Sequence, residues 1–260
     1  MRKTWQWIDT GKQPGSFNMA FDEYLAAEVG SGLRPTTLRF FQWQPYCISL
    51  GKHQNISEIN SEKAHHDGLE IVFRPTGGRA ILHAQELTYS IVYHDDIRGS
   101  VEESHAHIST AIAIALRRLG YEAYCTTEQT DFKQHYRNPS SALCFSSSAK
   151  SEIQIEGKKV VGSAQRRYAQ ATLQHGSILI GDFHRKLADY IHADAATKNI
   201  LQRVMNEKTT ELNQYIAVDI AALKESLREA FSEFFSIDWT DGAWQADAIA
   251  SHHQRSAFMV

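Results

Sequence analysis

An α+β fold built on a mixed, mostly antiparallel sheet packed with helices is what this chain predicts, and three observations carry that reading. Strand-like and helix-like stretches mix without a regular βαβ alternation. The Glu156-Gly157 pair joins two strand-like segments as a hairpin, a connection open only to antiparallel strands. Arg74-Pro75-Thr76-Gly77-Gly78-Arg79-Ala80 sits between one apolar run, Glu70 to Phe73, and one alternating run, Glu86 to Tyr93.

Trp5 to Ile8 reads as a first strand. Ser16 is placed to cap a helix through about Val29, with Phe17, Phe21 and Tyr24/Leu25 on one face and Gly30 closing it. Thr37 to Phe41 and Cys47 to Leu50 are strand-like and divided at Gln44-Pro45. Ser57 to Asp67 reads as a short helix ended by Gly68. After the glycine motif and its flanking strands, Ser100-Val101-Glu102-Glu103 is a capping box. It opens a helix whose apolar face runs through Ile108, Ala111/Ile112, Ala115/Leu116 and Leu119 to Gly120. Thr126 to Ser141 is polar and irregular, a surface loop. Three strands follow, Ser151 to Ile155, Lys158 to Ala164 and Thr172 to Ile180, then helices at Asp182 to Ile191 and Asp219 to Phe235. Residues 1–260 therefore read as one domain with a helical C-terminal segment from about 183.

A formal net charge of −3 offers no bulk attraction to nucleic acid or an anionic membrane. No apolar run is long enough to span a bilayer, and the N-terminus lacks a signal-peptide segment, so the cytoplasm is the expected location. Three cysteines without a C-x-x-C spacing argue against a disulfide framework. His65-His66, His105-x-His107 and His252-His253 lack the spacing of known metal sites, so no metal is expected. No G-x-S-x-G elbow appears either, so a serine hydrolase is unsupported.

The glycine motif lets backbone N–H groups approach a ligand, with Arg74 and Arg79 bracketing that approach. Cys144 stands where the polar loop meets the next strands, a position from which a thiol can reach a pocket; Cys47 and Cys125 look sealed. A cation beside a thiol favours the thiolate, and Lys159 is the best-placed donor of that charge. Lys158 and Lys159 face opposite ways on a strand, and pattern alone does not say which face is the pocket. Gly162-Ser163-Ala164 and His175-Gly176-Ser177 interrupt strands with small residues, either as bulges or to admit something close to the backbone. His83, just after the glycine motif, is either a pocket polar group or a structural histidine.

Several blocks together resemble the biotin/lipoate A/B protein ligase family. They are Asn18-Met19-Ala20-Phe21-Asp22-Glu23, Leu38-Arg39-Phe40-Phe41-Gln42-Trp43, Ser49-Leu50-Gly51-Lys52-His53-Gln54, Arg74 to Ser90, Lys159 to Gln165, and Gln174-His175-Gly176-Ser177. The resemblance spans roughly residues 5 to 185 and implies the catalytic-domain fold of that family. Within it, Cys144 ahead of the hairpin and Arg79 at the third glycine position look most like the cysteine-type octanoyltransferases. Phe73 and Ala84 stand where the ATP-dependent lipoate ligases often carry basic and acidic residues. The resemblance implies an acyltransferase with Cys144 and Lys159 catalytic. Arg74, Thr76, Gly77, Gly78, Arg79, Ala80, His83, Gly162, Ser163, Ala164, His175 and Gly176 would bind substrate. It further implies octanoyl-acyl carrier protein as donor, a lipoyl-domain protein of the glycine cleavage H type as acceptor, and no cofactor. An ATP-dependent lipoate–protein ligase, or an amidotransferase between lipoyl domains, is the alternative.

Overall fold

Period-two alternation dictates most of what is observed in the computed structural model, which describes residues 2–94, 100–126, 152–247 and 249. Eleven strands among these residues form two sheets. β1 (Lys3–Gln13), β2 (Thr37–Trp43), β6 (Glu86–Tyr93), β7 (Tyr124–Cys125), β8 (Ile153–Ile155), β9 (Lys158–Arg167), β10 (Thr172–Leu179) and β11 (Ile237–Asp241) make the large sheet. Its order is β11-β1-β2-β6-β10-β9-β8-β7. Within it only the β11-β1 and β1-β2 pairs are parallel. β3 (Cys47–Leu50), β4 (Glu70–Phe73) and β5 (Ile81–His83) form the small sheet, with β3 in the middle. There β3-β4 is the third parallel pair among the described strands, so the mostly antiparallel expectation holds.

Each face of the large sheet is covered by helix. Leu38, Phe40, Tyr89 and Ile91 point toward α3 (Val101–Arg118) and toward α6 (Ile220–Phe235) at the C-terminal end of the chain. The α6 side chains Leu223, Leu227 and Phe231 are sealed there, each worth about 1.5–3 kcal/mol of burial. The alternate residues turn to the other face, where Phe21, Leu25 and Val29 of α1 (Gly15–Gly30) meet Ile8, Val92 and Leu173. α2 (Ser61–His66), α4 (Leu187–Tyr190) and α5 (Ala195–Lys208) pack on the small sheet through Ala64, Leu187, Tyr190, Leu201 and Met205.

Local signals met three outcomes. The Ser100 capping box forms, with Glu103 N–H donating to Ser100 Oγ at 3.3 Å and Ser100 N–H to Glu103 Oε2 at 2.6 Å. The hairpin forms as well; Glu156 and Gly157 both take positive φ, 50° and 76°, as a type I′ turn demands. Ser16 is not the cap of α1, in contrast. The Glu70 carboxylate of β4 accepts from Gly15 N–H at 2.6 Å and Ser16 N–H at 2.9 Å. A residue more than fifty positions away satisfies those orphan donors, which no local pattern reveals.

Two further differences have physical causes. The helix expected over Ser57 to Asp67 is a 3-10 turn at Ile56–Glu58 followed by α2, because Asn55 and Asn60 each cap their own short segment. The segment after about 183 carries helical elements and then closes with a strand. Ser236 ends α6 in the left-handed region, φ 55°, and turns the chain back so that β11 runs beside β1. α5, not anticipated, has its N-cap at Asp194. The loop expected over Thr126 to Ser141 lies, beyond its first residue, outside the described residues.

Candidate functional site

The two sheets face each other across a slot, and the residues that line it come from β2, β3, β5, β6, β9, β10 and α1. Met19, Phe41, Trp43 and Ile81 supply apolar walls. Seven sequence-identified positions also line it: Arg74, His83, Gly162, Ser163, Ala164, His175 and Gly176. Pairing of β9 with β10 brings the small residues together, with Gly162 opposite Ser177, Ser163 opposite Gly176 and Ala164 opposite His175. At Gly176 a Cβ would fall 2.6 Å from the Gly162 carbonyl oxygen and 2.7 Å from the Tyr89 ring, so only glycine fits.

Two histidines anchor the slot, each held between a carboxylate and a hydroxyl. His175 Nδ1 lies 2.9 Å from Asp22 Oδ2, and its Nε2 lies 2.7 Å from Thr76 Oγ1. Burial depresses the basicity of this imidazole, against the pull of Asp22, so it is neutral and donates Nδ1–H to the carboxylate. Nε2 then accepts from the Thr76 hydroxyl. Asp22 in turn accepts from Arg39 Nη1 at 3.0 Å. Arg39 is fully buried between the rings of Phe21 and Phe41, its ζ-carbon 4.4 and 3.9 Å from their centres. Burial lowers its pKa to about 10, opposed by Asp22, which leaves it a cation at neutral pH. Burial alone would raise the Asp22 carboxyl; its bonds to His175 and the Arg39 charge outweigh that and hold it low.

The second histidine, His83, stacks on Trp43 at 4.0 Å and 12°. Its Nδ1 lies 2.8 Å from Glu86 Oε1 and its Nε2 2.8 Å from Ser49 Oγ. Glu86 Oε1 also accepts from Thr88 Oγ1 at 2.6 Å and Ser177 Oγ at 2.8 Å. Those donors and His83 overcome the burial that would otherwise raise the Glu86 carboxyl, and hold it below its ordinary value.

The structure assigns the glycine motif a different electrostatic character from the sequence reading. Arg74 does not reach outward as an open cation. Its Nε donates to Gly77 O at 3.1 Å, Nη1 to Ser49 O at 3.0 Å and Ser49 Oγ at 3.2 Å, and Nη2 to Gly77 O at 2.8 Å and Arg79 O at 2.7 Å. It pins the loop through the loop's own carbonyls. Thr76 sits one bond behind the slot, on His175. Gly77 and Gly78 cross over Gly51, where a Cβ would come within 2.0 Å of Gly78 O. Arg79 pairs with Glu58 at 3.3 Å, and Ala80 is buried in the small-sheet core rather than in the slot.

Lys159 is neither solvated nor in the slot. Its Nζ donates to Glu152 Oε1 at 2.6 Å, and both side chains are buried. The β8-β9 register shifts between Ile153 and Gln154, so the strand pair is bulged where the lysine sits. Cys144 lies outside the described residues. Of the other thiols, Cys47 is sealed as expected and pushed well up by burial and by Glu70 and Glu86. Cys125, expected to be sealed, is half-buried, and burial raises it too. Neither is poised as a thiolate.

The model of the lipoyl protein ligase A/B catalytic domain matches residues 14–232. The chain belongs to that family. Octanoyltransferase LipM of Bacillus subtilis is 38% identical over 240 residues, which cover 90% of this chain and 86% of that protein. Octanoyltransferase LipM of Staphylococcus aureus is 32% identical, covering 92% and 89%. A bi-partite lipoate protein ligase from Thermoplasma acidophilum superposes with a TM-score of 0.79 at 19% identity, over 97% of this chain and 91% of that one. A lipoate-protein ligase A bound with ATP gives 0.77 at 21%, over 98% and 94%. The family and fold expectations are met, and the curated relatives are acyltransferases of the type expected.

For this family member, sequence reading left out Ser49, Asp22, Arg39, Trp43 and Glu86 as site residues. All five stood inside the quoted motifs, and for Arg39 a charged residue among apolar strand positions was the available signal. No helix among the described residues is long and apolar enough to cross a membrane. No group of His, Cys, Asp or Glu side chains fit to hold a metal ion occurs among them.

Proposed function

We propose that this protein is an octanoyltransferase of protein lipoylation. It takes the octanoyl group from acyl carrier protein onto Cys144 as a thioester and passes it to a lysine of a lipoyl domain of the glycine cleavage H type. The observation that carries the reading is the slot. It is narrow, walled by Met19, Phe41, Trp43 and Ile81, and opened along one side by the glycines of β9 and β10. An unbranched hydrocarbon chain fits such walls, and the curated relatives that span nine-tenths of the chain are octanoyltransferases.

The chemistry balances without a nucleotide. Cys144 Sγ attacks the thioester carbonyl, the carrier thiolate leaves, and an enzyme thioester results. The neutral acceptor amine then attacks the same carbon, the Cys144 thiolate leaves, the proton shed by the amine nitrogen goes to that thiolate or to water, and the amide forms downhill. Lys159 stands three residues before Gly162 on β9, about 10 Å along the strand. Its role is to supply the positive charge that favours the Cys144 thiolate, with Glu152 holding the ammonium in place. Of the backbone N–H groups around Gly77-Gly78 and Gly162-Ser163, those of Gly162-Ser163 line the slot and are the ones assigned to the developing oxyanion. We keep the reaction in the cytoplasm, the location expected from the sequence.

Incubation with octanoyl-acyl carrier protein followed by mass spectrometry tests this. The expected result is a gain of one octanoyl group, mapped to Cys144 and released by hydroxylamine. Cys144→Ala should abolish transfer and leave the far-UV circular dichroism unchanged. Acylation that needs ATP and free lipoate would overturn the reading in favour of a ligase.

A further inference from the structure

The Ser49, His83 and Glu86 side chains meet in an order with its own chemistry. Proton bookkeeping fixes the direction of each bond. Trp43 Nε1–H donates to Thr88 Oγ1 at 2.7 Å, so the Thr88 proton is free to go to Glu86 Oε1. Ser177 donates to the same oxygen. Glu86, ionised and accepting only, takes Nδ1–H from His83. With Nδ1 turned to Glu86, Nε2 faces the other way, and its partner at 2.8 Å is Ser49 Oγ. The Ser49 oxygen receives Arg74 Nη1–H at 3.2 Å, which leaves its own proton to point at His83. A hydroxyl aimed at an imidazole, with that imidazole aimed at a carboxylate, is the nucleophile–base–orienter arrangement of acyl transfer. Such sites are recognised by geometry rather than by chain order or by an elbow motif.

We propose that Ser49, His83 and Glu86 form a second acyl-transfer centre, which hydrolyses medium-chain esters and thioesters lodged in the slot without using Cys144. Both Ser49 and His83 line the slot. Ser49 Oγ bonds to the acyl carbon as its proton passes to His83 Nε2. The bond to the leaving alkoxide or thiolate breaks, and His83 returns the proton to that group. Water then attacks the acyl–serine carbon, gives a proton to His83, and Ser49 leaves to regain it, which releases the fatty acid. Glu86 balances the transient imidazolium, and Arg74 Nη1 donates to the Ser49 oxygen that attacks. Ser49 is fully buried and lines the slot, where the acyl chain itself hinders water. Deacylation is therefore the slow step.

The proposal stands apart from the Cys144 thioester pathway, so its test uses Cys144→Ala protein and p-nitrophenyl octanoate. A burst of one p-nitrophenolate per chain is expected, followed by slow turnover. An octanoyl group should appear on the peptide that contains Ser49 and resist neutral hydroxylamine, as an oxygen ester does. Adding Ser49→Ala should remove the burst, and His83→Gln should slow it on the order of 100-fold. A burst unchanged by Ser49→Ala, a label on another residue, or no hydrolysis in Cys144→Ala protein would overturn the proposal. The adduct mapping on Cys144→Ala alone decides the matter should Ser49→Ala fail to fold.

Discussion

His175 and His83 line the same slot and make the same pair of contacts, yet their carboxylates are not equivalent. Asp22 is shared between His175 and Arg39, a permanent cation with no exposure to water. Its negative charge is already matched, and its work is to bind α1, β2, β10 and the glycine loop into one block. Glu86 has hydroxyl donors and His83 and, among the described residues, no Lys or Arg ion pair. Its charge is thus available to stabilise a proton arriving on His83. The same three-group motif therefore serves as a clamp in one place and as a proton-handling device in the other.

The most severe way to break this contrast is Asp22→Ala. It strands the Arg39 guanidinium in the core and should cost about 3–5 kcal/mol in urea unfolding. Glu86→Gln keeps the shape and strands no cation, so about 1–2 kcal/mol is expected. Equal costs would erase the distinction.

Acid sensitivity comes next in size. His184 is buried, with its pKa pushed down to about 4 chiefly by burial. The unfolded chain takes up that proton first, near pH 6.5, so stability falls as pH drops from about 6.5 toward about 4. The loss from this group is about 3 kcal/mol over that window, and His184→Gln should flatten the slope of stability against pH by that amount. His175 shifts in the same direction and leaves a residual slope.

Gly51→Ala pushes a methyl group into the Gly78 carbonyl oxygen. A cost of about 1–3 kcal/mol is expected, with faster hydrogen exchange confined to the glycine loop. Thr76→Val is the gentlest probe. It removes one hydroxyl from His175 Nε2, for about 1 kcal/mol, and should loosen the loop without disturbing the Ser49–His83 pair.

Elements governed by neighbours in the chain were readable beforehand. The Ser100–Glu103 capping box, the Glu156-Gly157 turn and the apolar face of α3 all depend on contacts within a few residues. Features missed were those whose partner comes from elsewhere. Glu70 caps α1 across more than fifty residues, β11 finds β1 from the far end of the chain, and His175 meets Asp22 at a separation of 153. In the site, the small residues of β9 and β10 were found because glycine in a strand has a local cost that calls for a reason. Arg74 was read as an open cation because its residue type is visible in the sequence, while the carbonyls that consume its donors are not.

Family and sheet character follow from motifs and alternation, which are properties of short stretches of chain. Which lysine is buried, which carboxylate is matched by a cation, and which hydroxyl points at an imidazole depend on how two sheets and a helix close over one another. Hydrogen-bond direction and charge balance are set by the partners present in three dimensions, and those partners were assembled only by the fold.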